Sequence, residues 1–207
     1  MNVLQIDSGI LGENSVSRRL TAAIAAQVKV DNPAAKVAYR DLVANPLPHL
    51  TGVHLMAANA KPEDVDGQLA ADVAVSAAVL DEFLAADTII IGAPMYNFSL
   101  PSQLKAWIDR IAVAGKTFRY TENGPEGLAK GKKVIVASTR GGLYSTGPAA
   151  IMDHQEAYLK TVLGFFGISD VEFVRAEGLN ISAVSKATAI SEAERTILGL
   201  ADLKLAS

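Results

Sequence analysis

Short apolar runs alternate along this chain with longer segments in which apolar residues recur at helical spacing. The run Thr88 to Ile91, within Asp87–Gly92, is β-branched throughout and too short for a helix, so it reads as a central strand covered on both faces. Four more segments have strand character: Asn2–Asp7, Lys36–Asp41, Lys133–Ser138 and Val171–Ala176. Helical patterns separate them. Between the first two strands, Ser15 to Val28 places Leu20, Ala23, Ile24 and Val28 on one face. Glu63 to Ala86 follows the start signal Pro62, and Glu63, Asp64 and Asp66 suit a helix N-terminus. Pro101 opens a third helix running to about Val113, and two more are expected over Pro148–Phe166 and Ser182–Leu205. This βαβ series predicts an α/β fold with a five-stranded parallel sheet, helices on both faces and strand order 2-1-3-4-5. That order brings the ends of the first and third strands together, at the edge where open parallel sheets bind ligands.

Two insertions interrupt the alternation. Asn45–Pro62 is rich in proline and histidine, whereas Lys116–Lys132 reads as a β-hairpin with Asn123-Gly124 as its turn signal. The 207 residues fit a single domain over 1–207, and a composition half apolar and one-fifth charged implies a well-buried core. The apolar stretches break before about 18 residues and the first strand starts at once, so neither a membrane span nor a signal peptide is expected. A net charge of −3 with scattered Lys and Arg offers no field for nucleic acid. The absence of cysteine removes disulfides, thiolate catalysis and Cys-ligated metal, and is compatible with a cytoplasmic protein. His49, His54 and His154 lack the His-x-x-x-His spacing, so no metal site is expected.

Three polar loops follow strands and would converge on one edge of the sheet. After the first strand, Asp7-Ser-Gly-Ile-Leu-Gly-Glu-Asn-Ser-Val-Ser17 enters a helix, and hydroxyl residues there suit a phosphate as well as a simple cap. The chain has no Gly-x-Gly-x-x-Gly in this loop and no P-loop anywhere, which leaves a monophosphate as the natural guest. After the third strand, Met95 to Phe98 offer backbone N–H groups, a phenol, an amide and a phenyl ring to a flat, polar-rimmed ligand. After the fourth, Thr139-Arg-Gly-Gly142 lets the backbone approach a ligand, or serves as a flexible connection. No nucleophile elbow or post-strand histidine base is present, so the reactivity is expected to come from a redox cofactor. Trp107 and the Phe165-Phe166 pair read as core or subunit-contact residues.

The motifs Ile10-Leu-Gly-x-x-Ser-x-Ser17, Ala93-Pro-Met-Tyr-Asn-Phe98, Thr117-Phe-Arg-Tyr-Thr-Glu-Asn-Gly-Pro-Glu-Gly127, Arg140-Gly-Gly142 and Leu163-Gly-Phe-Phe-Gly-Ile168 span nearly the whole chain. In them it resembles the bacterial, flavodoxin-like FMN-dependent NADH-azoreductases, also called NAD(P)H:quinone oxidoreductases. The resemblance implies a homodimer with one FMN per subunit at the interface. It implies a phosphate site of Gly9, Ser15, Val16 and Ser17, a flavin ring lined by Met95, Tyr96, Asn97 and Phe98, and a second flavin edge at Thr139, Arg140, Gly141 and Gly142. Phe118, Tyr120 and Phe165 would shape a substrate pocket with the partner subunit. Many family members have a serine in place of Gly9, so one hydroxyl contact to FMN is absent unless Ser8 or a water replaces it.

The activity so implied is two-electron transfer from NADH or NADPH to quinones and aromatic azo compounds in ping-pong order, with no protein acid or base. Backbone N–H groups of Asn97, Gly141 and Gly142 would stabilise the flavin as it becomes anionic. The rivals are a flavodoxin-type electron carrier and a reductase that supplies reduced FMN to another enzyme. The mild charge, two insertions and a hairpin suited to enclosing a pocket favour the enzyme over the carrier.

Overall fold

The structure is a computed structural model that describes residues 1–57 and 67–200. Its strands are β1 (Asn2–Asp7), β2 (Lys36–Asp41), β3 (Thr88–Pro94), β4 (Phe118–Thr121), β5 (Gly124–Gly127), β6 (Lys133–Thr139) and β7 (Asp170–Ala176). Its α-helices are α1 (Val16–Asp31), α2 (Gly52–Ala57), α3 (Gly67–Ala85), α4 (Ser102–Ile111), α5 (Glu156–Phe165) and α6 (Ala183–Gly199). Five strands form one parallel sheet in the order β2-β1-β3-β6-β7, while β4 and β5 pair only with each other. With that hairpin set aside, the order is the expected 2-1-3-4-5.

The two-residue period of a strand decides which layer each side chain joins. On β3, Ile89 and Ile91 pack with Val79 and Phe83 of α3, Leu104 and Trp107 of α4, and Leu159 and Leu163 of α5. Ile90, between them, packs with Leu20, Ile24 and Val28 of α1 and with Ala193 and Ile197 of α6 on the other face. All three isoleucines are buried, and each such side chain contributes about 1.5–3 kcal/mol of transfer free energy. The register puts Asp41, Asp7, Gly92, Ala137 and Val174 in one row across the sheet. The candidate loops begin just beyond this row.

The expected helix over Pro148–Phe166 is broken. Pro148–Met152 is a short 3₁₀ turn, and α5 starts only at Glu156. The Asp153 carboxylate is the reason: its Oδ1 accepts the N–H groups of Gln155 and Glu156, each at 3.0 Å, which gives the new helix its own cap. The hairpin turn also differs by one residue. Thr121 pairs with Gly124, so Glu122 and Asn123 are its central residues, and Gly124 supplies the positive φ of 106°. The acidic start expected at Glu63 to Asp66 and the C-terminal part of the last helix, beyond residue 200, lie outside the described residues.

Candidate functional site

The first loop turns through Gly12–Asn14 and hands the chain to α1 at Ser15. Ser15 stands at the N-cap position but makes no side-chain cap bond; its hydroxyl lies 3.0 Å from that of Ser17 instead. Among the described residues no acceptor takes the N–H groups of Val16 or Ser17. The two hydroxyls converge on Gly9, where an added Cβ would overlap the Ser15 Oγ and lie 3.0 Å from the Ser17 Oγ. A cradle kept open by a glycine, with hydroxyls and unspent helix N–H groups around it, has the donor set that a phosphate monoester takes.

Partly buried charge fixes this loop. Arg18 donates through Nε to the Gly9 carbonyl at 2.9 Å and binds Asp41 bidentately at 2.6 and 2.8 Å. That bond to Arg18 holds the Asp41 carboxyl down at about 2, against the contrary effect of burial, with help from the Ala44 and Val43 N–H groups. Asp7 is 2% exposed, and burial raises its pKa despite hydrogen bonds from Thr21 at 2.7 Å and Tyr39 at 3.0 Å. Burial, and then the charge on Asp7, push the Tyr39 phenol up to about 12. Tyr39 therefore stays a donor to Asp7 across the physiological range.

After β3 the chain makes a two-residue turn in which Tyr96 and Ser99 exchange backbone bonds of 2.9 and 3.0 Å. Its central residues, Asn97 at φ 48° and Phe98 at φ 69°, are both left-handed. Asparagine tolerates that region; phenylalanine does so at a cost, and such strain concentrates at ligand sites. The Tyr96 hydroxyl accepts the Ile10 N–H at 3.1 Å and ties this turn to the first loop. Met95 N–H reaches the Thr139 carbonyl at 2.8 Å, tying it to the loop after β6. There the N–H groups of Gly141 and Gly142, like that of Asn97, meet no acceptor among the described residues.

These loops enclose a cleft of about 130 Å³, with Ser15, Val16, Met95, Tyr96, Thr139, Arg140 and Gly141 among its lining residues. That is below the ~300–1,000 Å³ usual for a small-molecule site, so the chain alone surrounds only part of a larger ligand. A broader groove of about 640 Å³ lies between α4 and α5, lined by Leu100, Lys105, His154, Ala157 and Tyr158 among others. The unspent N–H groups of Val16 and Gly141 lie on the sheet-edge cleft.

A model of the flavodoxin-like fold family matches residues 1–200. The chain is 72% identical, over the full length of both proteins, to the FMN-dependent NADH:quinone oxidoreductase of Sinorhizobium fredii, and 67% identical to that of Rhizobium meliloti, again over both full lengths. The chain belongs to the FMN-dependent NADH:quinone oxidoreductase family. Among solved structures it resembles the Bacillus anthracis azoreductase, at TM-score 0.87 and 32% identity over 98% of this chain and 99% of that one. A second B. anthracis protein, an FMN-dependent NADH-azoreductase in complex with FMN, aligns at TM-score 0.85 and 26% identity over 97% of this chain and 99% of that one.

Against that family background, the sequence-derived residues fall into three groups. Gly9, Ser15, Val16, Ser17, Met95 to Phe98 and Thr139 to Gly142 gather at the carboxyl edge of the sheet. The Arg140 side chain, however, turns away: it is buried, with Nη1 on Glu177 at 2.9 Å and Nη2 on Asp153 at 2.9 Å and Glu156 at 2.7 Å. Only its backbone is left for the cleft. Ser8 cannot replace a serine at position 9, because its hydroxyl donates inward to the Gly92 carbonyl at 2.6 Å. Phe118, Tyr120 and Phe165 do cluster, with ring centroids 4.5 Å apart for Phe118 and Phe165 and 5.6 Å for Phe118 and Tyr120. They sit at the far end of α5, about 13 Å along the helix from Glu156 and hence from the edge that carries the cleft.

Sequence reasoning missed the loop after β7, which adds Leu179 and Asn180 to the cleft lining, and Lys186 of α6, which lines it too. The available signal was Gly178 and Asn180, turn-forming residues directly after the last strand. The same edge rule that selected the other three loops applies to this one.

Proposed function

We propose that this protein is an FMN-dependent oxidoreductase that passes two electrons from NADH or NADPH to quinones and reductively cleaves aromatic azo compounds. The observation that carries this reading is the set of donors gathered at one sheet edge: the Ser15 and Ser17 hydroxyls, bonded only to each other, with the Val16 and Ser17 N–H groups at the Gly9 cradle, and the Asn97, Gly141 and Gly142 N–H groups beyond, the N–H groups having no acceptor among the described residues. The first set would hold the phosphate of FMN. Met95 to Phe98 would line the ring, and the Thr139 to Gly142 backbone would border its other edge. The chemistry supplied by bound FMN is hydride acceptance from the nicotinamide, followed by two-electron delivery to the acceptor in ping-pong order. The Asn97, Gly141 and Gly142 N–H groups would favour negative charge at that edge, which is electrostatic work that needs no protein acid or base. The names of the relatives and the azoreductase neighbours support the same assignment.

The functional unit in this reading is a homodimer with FMN between the subunits. Support comes from the small enclosed volume of the cleft and from Phe98, which is 45% exposed beside it. The Phe118, Tyr120 and Phe165 cluster, remote from the cleft of its own chain, would serve the partner's site.

The test is to purify the protein, identify any bound flavin, and follow NADH and NADPH oxidation with a quinone and with an azo dye. Parallel double-reciprocal lines are expected from the ping-pong order, and a dimer in sedimentation. Colourless protein that binds no added FMN and oxidises neither nucleotide would end this reading. Turnover that needs a continuous supply of free FMN would instead favour a reductase that delivers reduced flavin to another enzyme.

A further inference from the structure

Glu177 lies just past β7, on the same edge of the sheet as the cleft, and its carboxylate gathers the loop that follows β6. Oε1 accepts Nη1 of Arg140 at 2.9 Å, the Tyr144 N–H at 2.8 Å and the Ser145 N–H at 2.9 Å, while the Ser145 hydroxyl donates to Oε2. The carbonyls of this loop are fixed as well. Those of Arg140, Gly141 and Gly142 accept the N–H groups of Leu179, Asn180 and Gly178 at 3.1, 3.0 and 2.9 Å. With its carbonyls turned to residues 178–180 and the N–H groups of Tyr144 and Ser145 on Glu177, the loop keeps those of Gly141 and Gly142 unspent beside the cleft. The Tyr144 ring meets Phe98 edge-on, with centroids 6.1 Å apart, so the same anchor sets an aromatic contact to the strained turn.

We infer that Glu177 is a positioning residue of the flavin site: by binding Arg140, Tyr144 and Ser145 it holds the Gly141 and Gly142 N–H donors and the Tyr144–Phe98 pair in place. The inference rests on the FMN reading above. A carboxylate suits this task because charge-assisted bonds are shorter and about twice as strong as neutral ones, and one of its donors is the buried Arg140 guanidinium. Burial works against ionisation of Glu177, yet the Ser145 hydroxyl, the Tyr144 N–H and Arg140 together hold its carboxyl below the ordinary glutamate value. It is therefore anionic at neutral pH.

The experiment compares the full-length wild type with Glu177→Ala and Glu177→Gln. Flavin affinity is read by fluorescence quenching with FMN and with riboflavin, and order in residues 140–146 by hydrogen exchange. Glu177→Ala is expected to weaken FMN and riboflavin by the same factor, about tenfold for one lost set of charge-assisted bonds. Amide exchange should rise at Tyr144 and Ser145 while the β3 and β6 amides stay protected. Glu177→Gln keeps one acceptor oxygen and should recover part of both effects. The proposal is overturned if Glu177→Ala binds both flavins like the wild type. It is equally overturned if exchange rises across the whole sheet and Glu177→Gln gives no recovery, since Glu177 would then serve only the fold. A wild type that binds no FMN would remove the underlying reading too, whereas normal wild-type binding with an unchanged Glu177→Ala removes this inference alone.

Discussion

Gly9→Ala tests the phosphate cradle most directly, because the substitution adds one carbon where two hydroxyls already meet. Gly9 does not have a positive φ, so alanine faces no backbone penalty and the effect is one of space. The new Cβ would overlap the Ser15 Oγ and lie 3.0 Å from the Ser17 Oγ and 3.2 Å from the Ser15 Cβ. The Ser15 hydroxyl has to leave its rotamer well for another about 120° away. Doing so breaks its 3.0 Å bond to Ser17, worth about 1 kcal/mol. For a chain of this size that lowers the melting temperature by about 2–4 °C. The larger effect falls on the ligand. A hydroxyl bond to a charged phosphate contributes about 1.5–3 kcal/mol, so FMN affinity should fall by about 10- to 150-fold. Riboflavin has no phosphate and should bind the variant as it binds the wild type. Fluorescence-quenching titrations with the two flavins measure the contrast. Repeating the substitution in a Ser15→Ala background should cost less than in the wild type, because the clashing hydroxyl is already gone and the two positions couple. Equal losses for FMN and riboflavin, or unchanged FMN affinity in Gly9→Ala, would refute the assignment of this loop to the phosphate.

Three more expectations follow from the same geometry. Asn97→Ala puts alanine at φ 48°, where a residue with a Cβ and no local side-chain bond costs about 1–2 kcal/mol; flavin affinity or turnover should drop, and a lower melting temperature with intact flavin affinity would assign Asn97 to the fold alone. Arg140→Ala leaves Asp153, Glu156 and Glu177 without their shared cation, which should cost about 3–5 kcal/mol in urea denaturation, and a loss under 1 kcal/mol would contradict the buried network. Asp41, held at about 2 against its ordinary 3.8, contributes stability that is complete above 3.8 and is lost as pH falls towards 2; Asp41→Asn should flatten the acid limb of a circular-dichroism titration in that window, and an unaltered slope would remove the Arg18 contact as its cause. The raised Asp7 acts with the opposite sign, since its ionisation as pH rises penalises the folded state.

The strands were legible because burial on two faces is written locally. β1 and β2 have their expected bounds, and β3 runs only two residues past the expected Gly92, to Pro94. The strand order was equally accessible, since right-handed crossovers and covered faces leave few arrangements for five parallel strands. The hairpin turn slipped by one residue because Asn-Gly suits two geometries, with the pair at the centre or with glycine just after it, and local sequence does not separate them.

What sequence could not reach is set by contacts between distant residues. The break before α5 depends on Asp153, whose one oxygen caps the helix while the other holds Arg140, thirteen residues away. Arg140 is drawn inward by that carboxylate, by Glu156 and by Glu177, thirty-seven residues on, so the arginine of an Arg-Gly-Gly motif becomes a strut under the site. The left-handed Phe98 could not be anticipated either, because phenylalanine has no preference for that region; the Tyr96–Ser99 bonds around it and the Tyr144 ring against it hold it there. In each case the motif gives the position of a candidate residue, and the buried partners decide whether its side chain or its backbone faces the cleft. Here the division is sharp. The serine loop offers side chains together with helix N–H groups, the Arg140 to Gly142 turn offers backbone alone, and the carboxylate that keeps it so lies on a loop without a motif.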